Sequence, residues 1–295
     1  MDTQTQLLEA YQTYLARSGK SEHTLKAYLS DARAFWKWHR HVTDTPDALS
    51  VDPRDIQDYR AYLAAQGRAT GTINRRLNAL RNFFKWAKSQ GHISDNPFDW
   101  LEKVTIKNTH KPAPKWLTDK EQRALLRAVR RSGNLRDVAL VQLLLGTGLR
   151  ISEVSALQMT DVDISARRGW LKVRHGKGMK AREIPLSKKT RQALQAYLVE
   201  REGDSGDALF LGQRGTLNPP GIDYLIRKYA YQAQLPHCSA HTLRHTFAKN
   251  LVDAGVSLDQ VAMLLGHESL DTTKIYIQPS RRDLEKAVWK IDNEL

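Results

Sequence analysis

The sequence predicts a mainly α-helical protein with a small antiparallel β element, divided into two domains. Three observations carry this reading. Apolar residues recur at helical spacing along most of the chain. Only one stretch, "GWLKVRHGKGMKAREIPL", reads as two short strands around a turn, His175–Lys180. One run, Lys103 to Lys115, breaks the pattern with four lysines, two prolines and no acid, as an extended basic linker does. The expected division is a helical domain over 1–102, a linker over 103–116 and a second domain over 117–295.

The first domain reads as four helices. "TQLLEAYQTYLARSG" is the first. "SEHTLKAYLSDARAFWKWHR" is the second and opens at Ser21, a residue suited to capping. The third, "DPRDIQDYRAYLAAQG", begins with Asp52 as N-cap and Pro53 at the first helical position. The fourth, "GTINRRLNALRNFFKWAKSQG", places Ile73, Leu77, Leu80, Phe84 and Ala87 on one face and Arg75, Arg76 and Arg81 on another. Those arginines suit either a solvated face or phosphate contact.

Thr118 and Glu121 form a capping-box pattern that starts the second domain. "RDVALVQLLLGTGLRISEVSAL" then reads as a buried helix, a glycine-marked break and a second helix. "KKTRQALQAYLVERE" is helical, and so is "GIDYLIRKYAYQAQ", with Arg227 and Lys228 on its polar side. Three short helices are expected at the end: "SLDQVAMLLG", "LDTTKIYIQ" and "RRDLEKAVWKIDNEL". The last carries an apolar stripe through Leu284, Ala287, Val288, Ile291 and Leu295, suited to packing within the chain or on a neighbour.

Charge narrows the function. With 46 Lys+Arg against 32 Asp+Glu, the net charge is +14, which suits a polyanionic partner, most simply nucleic acid. One cysteine excludes an internal disulfide framework and fits a reducing cytoplasm. The longest apolar run, near Val138 to Leu149, falls short of the roughly 20 residues of a spanning helix. The N-terminus shows no signal-peptide pattern, so a soluble cytoplasmic protein is expected.

The stretch "HCSAHTLRHTFA" raises a choice of chemistry. His241 and His245 lie four apart, with Cys238 close by, as zinc ligands do. Against zinc, residue 242 is Thr where a metalloprotease helix needs Glu, Arg244 brings a fixed positive charge, and no second cluster supplies a third ligand. Arg244 offers instead a rigid fork of donors for phosphate, with His241 on the same helical face. His245 then reads as a core packing residue and Cys238 as a bystander. Arg150 in "GTGLRISEV" opens a helix after two glycines, and Glu153 is placed to hold its guanidinium. Lys177 stands on the glycine-flanked turn, His267 follows Gly266, and Tyr276 comes nine residues later.

Taken in order, Arg150, Lys177, His241, Arg244, His267 and Tyr276 form a pattern. The segments "GTGLRISEVSAL", "HGKGMKAREIPL", "HTLRHTFA" and "LLGHESLDTTKIY" resemble the four motif regions of the tyrosine recombinases, the phage-integrase family, in their short two-domain Xer-like form. The resemblance covers nearly the whole chain. It implies an N-terminal four-helix DNA-binding domain and a C-terminal catalytic domain with an interaction helix. It implies a site-specific recombinase in which Tyr276 attacks a DNA phosphodiester and forms a 3′-phosphotyrosyl link. Arg150 and Arg244 would clamp the phosphate, Lys177 would protonate the leaving oxygen, His241 would assist proton transfer, and His267 would orient the tyrosine. Neither cofactor nor metal is implied. The implied partner is double-stranded DNA with an inverted-repeat core site, held by a homo- or hetero-tetramer on two sites. Arg75, Arg76, Arg81, Lys107, Lys111, Arg227 and Lys228 are candidate DNA contacts. The competing readings are a type IB topoisomerase-like nicking-closing enzyme, a DNA-binding protein without chemistry, and a zinc hydrolase.

Overall fold

The computed structural model describes residues 3–19, 22–43, 50–101, 115–174, 181–201, 206–267, 273–276 and 289. The chain forms two compact units, Met1–Lys111 and Pro112–Leu295. Most of the basic linker, including Lys107 and Lys111, lies outside the described residues.

The first unit is built of α1 (Thr3–Arg17), α2 (Glu22–Val42), α3 (Pro53–Ala65) and α4 (Thr70–Ser89). Asp52 caps α3 as expected. Its Oδ1 accepts from the backbone of Arg54 (2.6 Å) and Asp55 (3.1 Å), while the Asp55 side chain accepts from the Asp52 N–H. Ser21 lies outside the described residues. The core is aromatic: Tyr11, Phe35, Trp36, Tyr59, Phe83 and Phe84 are all buried. Trp36 and Tyr11 meet Phe83 edge-on, with centroids 4.7 and 5.0 Å away. The arginines of α4 have partners inside the unit. Arg75 and Arg76 both pair with the buried Asp31 of α2, and Arg81 lies 5.2 Å above the Phe98 ring. They join α4 to its neighbours as well as facing solvent.

The second unit begins with α5 (Asp119–Arg131), closed by the Thr118/Glu121 capping box. Next comes α6 (Leu135–Thr147), whose Ala139, Leu140, Val141, Leu143 and Leu144 are fully buried. A helix apolar on every side belongs in the middle of a core, and α6 packs against α5, α8 (Lys188–Glu200) and α10 (Ala240–Asp253). The short α7 (Ile151–Ala156) leads into an antiparallel sheet of β1 (Val162–Ile164), β2 (Gly169–Val173) and β3 (Arg182–Pro185), with Leu171 opposite Ile184. The two expected strands are β2 and β3. The sequence reading missed β1 and the hairpin of β4 (Leu211–Gly212) and β5 (Gly215–Thr216), because strands of two or three residues are too short to show alternation. Between them and α10 runs α9 (Pro219–Gln232), where the Tyr229 hydroxyl donates to the buried Asp137 carboxylate at 2.6 Å.

The chain then passes through α11 (Leu258–Leu265) to a 3-10 turn, Lys274–Tyr276. Of the expected helix "LDTTKIYIQ", only Thr273–Tyr276 is described, and these residues form the tighter turn. The final helix lies outside the described residues except for Trp289, which is helical and exposed. Among the described residues no helix is long and apolar enough to cross a membrane.

Candidate active site

Two helix ends fix Arg244. Helices α6 and α11 both stop at a glycine in the left-handed region, Gly148 (φ 63°) and Gly266 (φ 64°). Such endings leave the last carbonyls without helical partners. Arg244 takes up one from each: Nη1 donates to the Gly148 carbonyl (2.8 Å) and Nη2 to the Leu265 carbonyl (2.7 Å). The negative ends of two helix dipoles thereby hold a guanidinium that is only 3% exposed. Gly148 is also required for space. A Cβ there would lie 2.5 Å from the Phe247 ring and 2.8 Å from the Leu265 side chain. Burial, reinforced by the charge of Arg150, lowers the Arg244 guanidinium to about 10, so it stays a cation at neutral pH.

A buried carboxylate organises the other two arginines. Arg150 is the N-cap of α7, and its backbone N–H and Nη1 donate to Glu153 at 2.8 and 3.1 Å. Arg182 of β3 grips the same carboxylate with both Nη atoms at 3.0 Å and ties its Nε to the Leu264 carbonyl. Burial works to raise the Glu153 carboxyl, but hydrogen bonds from Arg182 and the Arg150 backbone, with both arginine charges, hold it below the usual carboxylate range. Three guanidiniums stand against one carboxylate. The surplus of positive charge is what an incoming anion would satisfy.

Burial and nearby positive charge disfavour the charged form of the three histidines of the site. Burial, then the charges of Arg244 and Arg150, lower His241. Burial, followed by neighbouring His241 and Arg244, lowers His245 to about 4. Burial, followed by Arg244, Arg150 and Arg182, also lowers His267 to about 4. The His267 Nδ1 meets the buried Thr273 hydroxyl at 2.9 Å.

Tyr276 is buried at 2% exposure against Phe247, Ala248, Val261 and Leu265. Its hydroxyl lies 2.7 Å from Nδ1 of His245. Burial raises the phenol above its ordinary value, and the Arg244 charge works to lower it.

The structure thus brings together Arg150, Glu153, His241, Arg244, His267 and Tyr276. Lys177 lies outside the described residues. Three further residues belong to the cluster. Arg182 was legible only as a charge sharing the inward face of β3 with Ile184. Thr273 gave no signal. His245 is corrected outright: it is no mere packing residue, because it holds the tyrosine hydroxyl. Its ring meets His241 edge-on at 4.3 Å between centroids. Among the described residues no group of three His, Cys, Asp or Glu side chains is placed to hold a metal. The candidate DNA contacts on α9 also have partners: Arg227 pairs with Asp223 (2.6 Å), and Lys228 lies 5.2 Å above the Tyr229 ring.

Guanidiniums, imidazoles and a phenol, gathered in the helical second unit of a strongly basic chain, define a class of site: one suited to an anion such as a phosphate, with a tyrosine hydroxyl beside it. Comparison with known proteins carries this further. Residues 115–282 match the model of the Phage integrase family, and residues 8–91 match that of the phage integrase N-terminal SAM-like domain. Tyrosine recombinase XerC of Pediococcus pentosaceus is 32% identical over 97% of each chain. Tyrosine recombinase XerA of Thermococcus kodakarensis is 31% identical over 98% of this chain and 96% of the relative. Among solved structures, a XerA recombinase crystal structure is 25% identical, with a TM-score of 0.55 over 97% of this chain and 98% of the other. XerH bound to a palindromic difH substrate shares the fold at a TM-score of 0.76 and 20% identity, over 97% of this chain and 94% of the other. The chain belongs to the phage integrase family and is a tyrosine site-specific recombinase.

Proposed function

We propose that Tyr276 is the nucleophile and that the chain cuts and rejoins duplex DNA through a 3′-phosphotyrosyl intermediate. The observation that supports this best is the buried Tyr276 phenol in a cluster with three guanidiniums, of which Arg150 and Arg182 share the Glu153 carboxylate and Arg244 rests on two backbone carbonyls. In this reading Arg150 and Arg244 bind the non-bridging oxygens and stabilise the charge that builds at phosphorus. Glu153, with Arg182, keeps Arg150 aimed. His241 assists proton transfer, and His267 hydrogen-bonds the phosphate. Lys177 protonates the leaving 5′-oxygen. The covalent link conserves the bond energy, so rejoining needs neither ATP nor metal.

The partner is duplex DNA with a specific inverted-repeat core site, contacted by both domains and the basic linker. Four protomers, of one kind or two, act on two sites in the cytoplasm, resolving chromosome or plasmid dimers or transposon cointegrates, or integrating DNA. The C-terminal helix docks on a neighbouring subunit, so removing residues 282–295 leaves single-site binding intact and weakens synaptic complexes on native gels. The nucleophile is tested by Tyr276→Phe. The wild type yields a DNA adduct resistant to SDS and the variant yields none; an adduct from the variant refutes the assignment. A two-site substrate separates recombination from simple relaxation.

A further inference from the structure

The phenol of Tyr276 must lose a proton as its oxygen bonds to phosphorus. Among the described residues that oxygen has one hydrogen-bond partner, Nδ1 of His245 at 2.7 Å. His241 lies one ring further away, its imidazole edge-on to that of His245. We propose that His245 accepts the phenolic proton directly during attack, and that His241 assists proton transfer from one ring further away. The inference rests on Tyr276 being the nucleophile, as argued above.

The local geometry suits the role. His241, Arg244 and His245 all project from α10, which the Ser239 N-cap and its capping box with Thr242 hold in register. Arg244 is pinned by two backbone carbonyls, so the neighbouring His245 cannot drift far. The phenol is the stronger hydrogen-bond acid of the pair, so Oη–H donates to Nδ1 and Nε2 carries the ring proton. In the step itself the Oη–P bond forms and the P–O5′ bond breaks. The Oη proton passes to Nδ1, and the departing O5′ takes a proton from Lys177, its assigned general acid.

The charges around the pair make the base conditional on substrate. His245 faces His241 and Arg244 on its own helix. His267 at the end of α11 and Tyr276 on the 3-10 turn also adjoin it, while Arg150, the N-cap of α7, Glu153 of α7 and Arg182 of β3 act on Arg244. With surplus guanidinium charge nearby, an imidazolium at His245 is disfavoured. A phosphodiester seated on Arg150 and Arg244 brings a negative charge and offsets that repulsion. Proton transfer is therefore favoured only when DNA fills the site, and the free enzyme keeps its tyrosine protonated.

The test uses the full-length protein and a nicked duplex that the wild type selects from a randomised pool by covalent capture. Adduct formation is timed from pH 6.5 to 9 for wild type, H245A, H245N and H241N. Asparagine places an oxygen where Nδ1 stood, so it can accept a hydrogen bond but not a proton. The expected result is that H245A and H245N are both slowed by about 10²–10³-fold near pH 7. Their rates should then climb about tenfold per pH unit, because hydroxide must now remove the proton. H241N lowers the rate without adding that slope. A wild-type rate in H245N, or a pH profile in H245A that parallels the wild type, overturns the inference. A failure of the wild type to capture any duplex, or capture by Y276F, overturns instead the nucleophile assignment on which it rests. Thermal unfolding of each variant confirms that the second unit is folded.

Discussion

Replacing Glu153 with glutamine keeps the shape of the side chain and removes the charge on which Arg150 and Arg182 converge. The two pairs are unequal. The Arg150 side chain is 41% exposed, so its ion pair contributes little beyond about 0–1 kcal/mol. The Arg182 and Glu153 side chains are 9% and 3% exposed, so theirs is a buried pair. Removing one partner of a buried pair costs about 3–5 kcal/mol, because the remaining charge stays desolvated and unpaired. The loss is worse here because Arg244 lies close enough to feel Arg182. Taking about 3 kcal/mol, and about 2–4 °C per kcal/mol for a unit of this size, the melting transition of the second unit should fall by about 6–12 °C at pH 7. Scanning calorimetry of the full chain measures this. The pH dependence gives an independent check. The Glu153 carboxyl is held below the usual carboxylate range, so its contribution is complete above that range and is lost as pH falls through the depressed folded value. The gap between wild type and variant should therefore close in acid. A fall of less than about 2 °C at pH 7 would refute the claim that this carboxylate holds the arginine cluster together.

Gly148→Ala meets both a left-handed backbone and the Phe247 ring, and should cost about 2–3 kcal/mol, read as a lower melting transition of the second unit. Because Gly148 also presents the carbonyl that holds Arg244, DNA cleavage should fall further than stability alone explains. A variant with wild-type stability would remove the packing argument. His245 and His267 have folded values lowered to about 4, so the unfolded chain takes up protons first on acidification. Their contribution to stability is complete above about 6.5 and is lost as pH falls toward 4. Denaturant titrations across that range should show the loss, and H267N should lessen it. The Cys238 thiol is buried and raised to about 12, by burial first and Glu121 second, so a thiol reagent at pH 8 should label it only as the second unit unfolds. Rapid labelling of the native protein would contradict its burial.

Local order in the chain determined most of the fold. Helical spacing marked all four helices of the first unit, and capping residues Asp52 and Thr118 set two helix starts because caps act within three residues. The site residues Arg150, Glu153, His241, Arg244, His267 and Tyr276 were legible as a motif series. The sequence could not say which group touches which, because residues nearly a hundred positions apart meet only after α6, α7, β3, α10 and α11 pack. That packing decided that Arg244 rests on two helix ends, that Arg182 shares the Glu153 carboxylate, and that the tyrosine hydroxyl meets His245. The histidine beside Arg244 looked like filler because helical spacing places a residue on a face but does not name what lies opposite. Only the turn carrying Tyr276, folded against α10, gave it a partner.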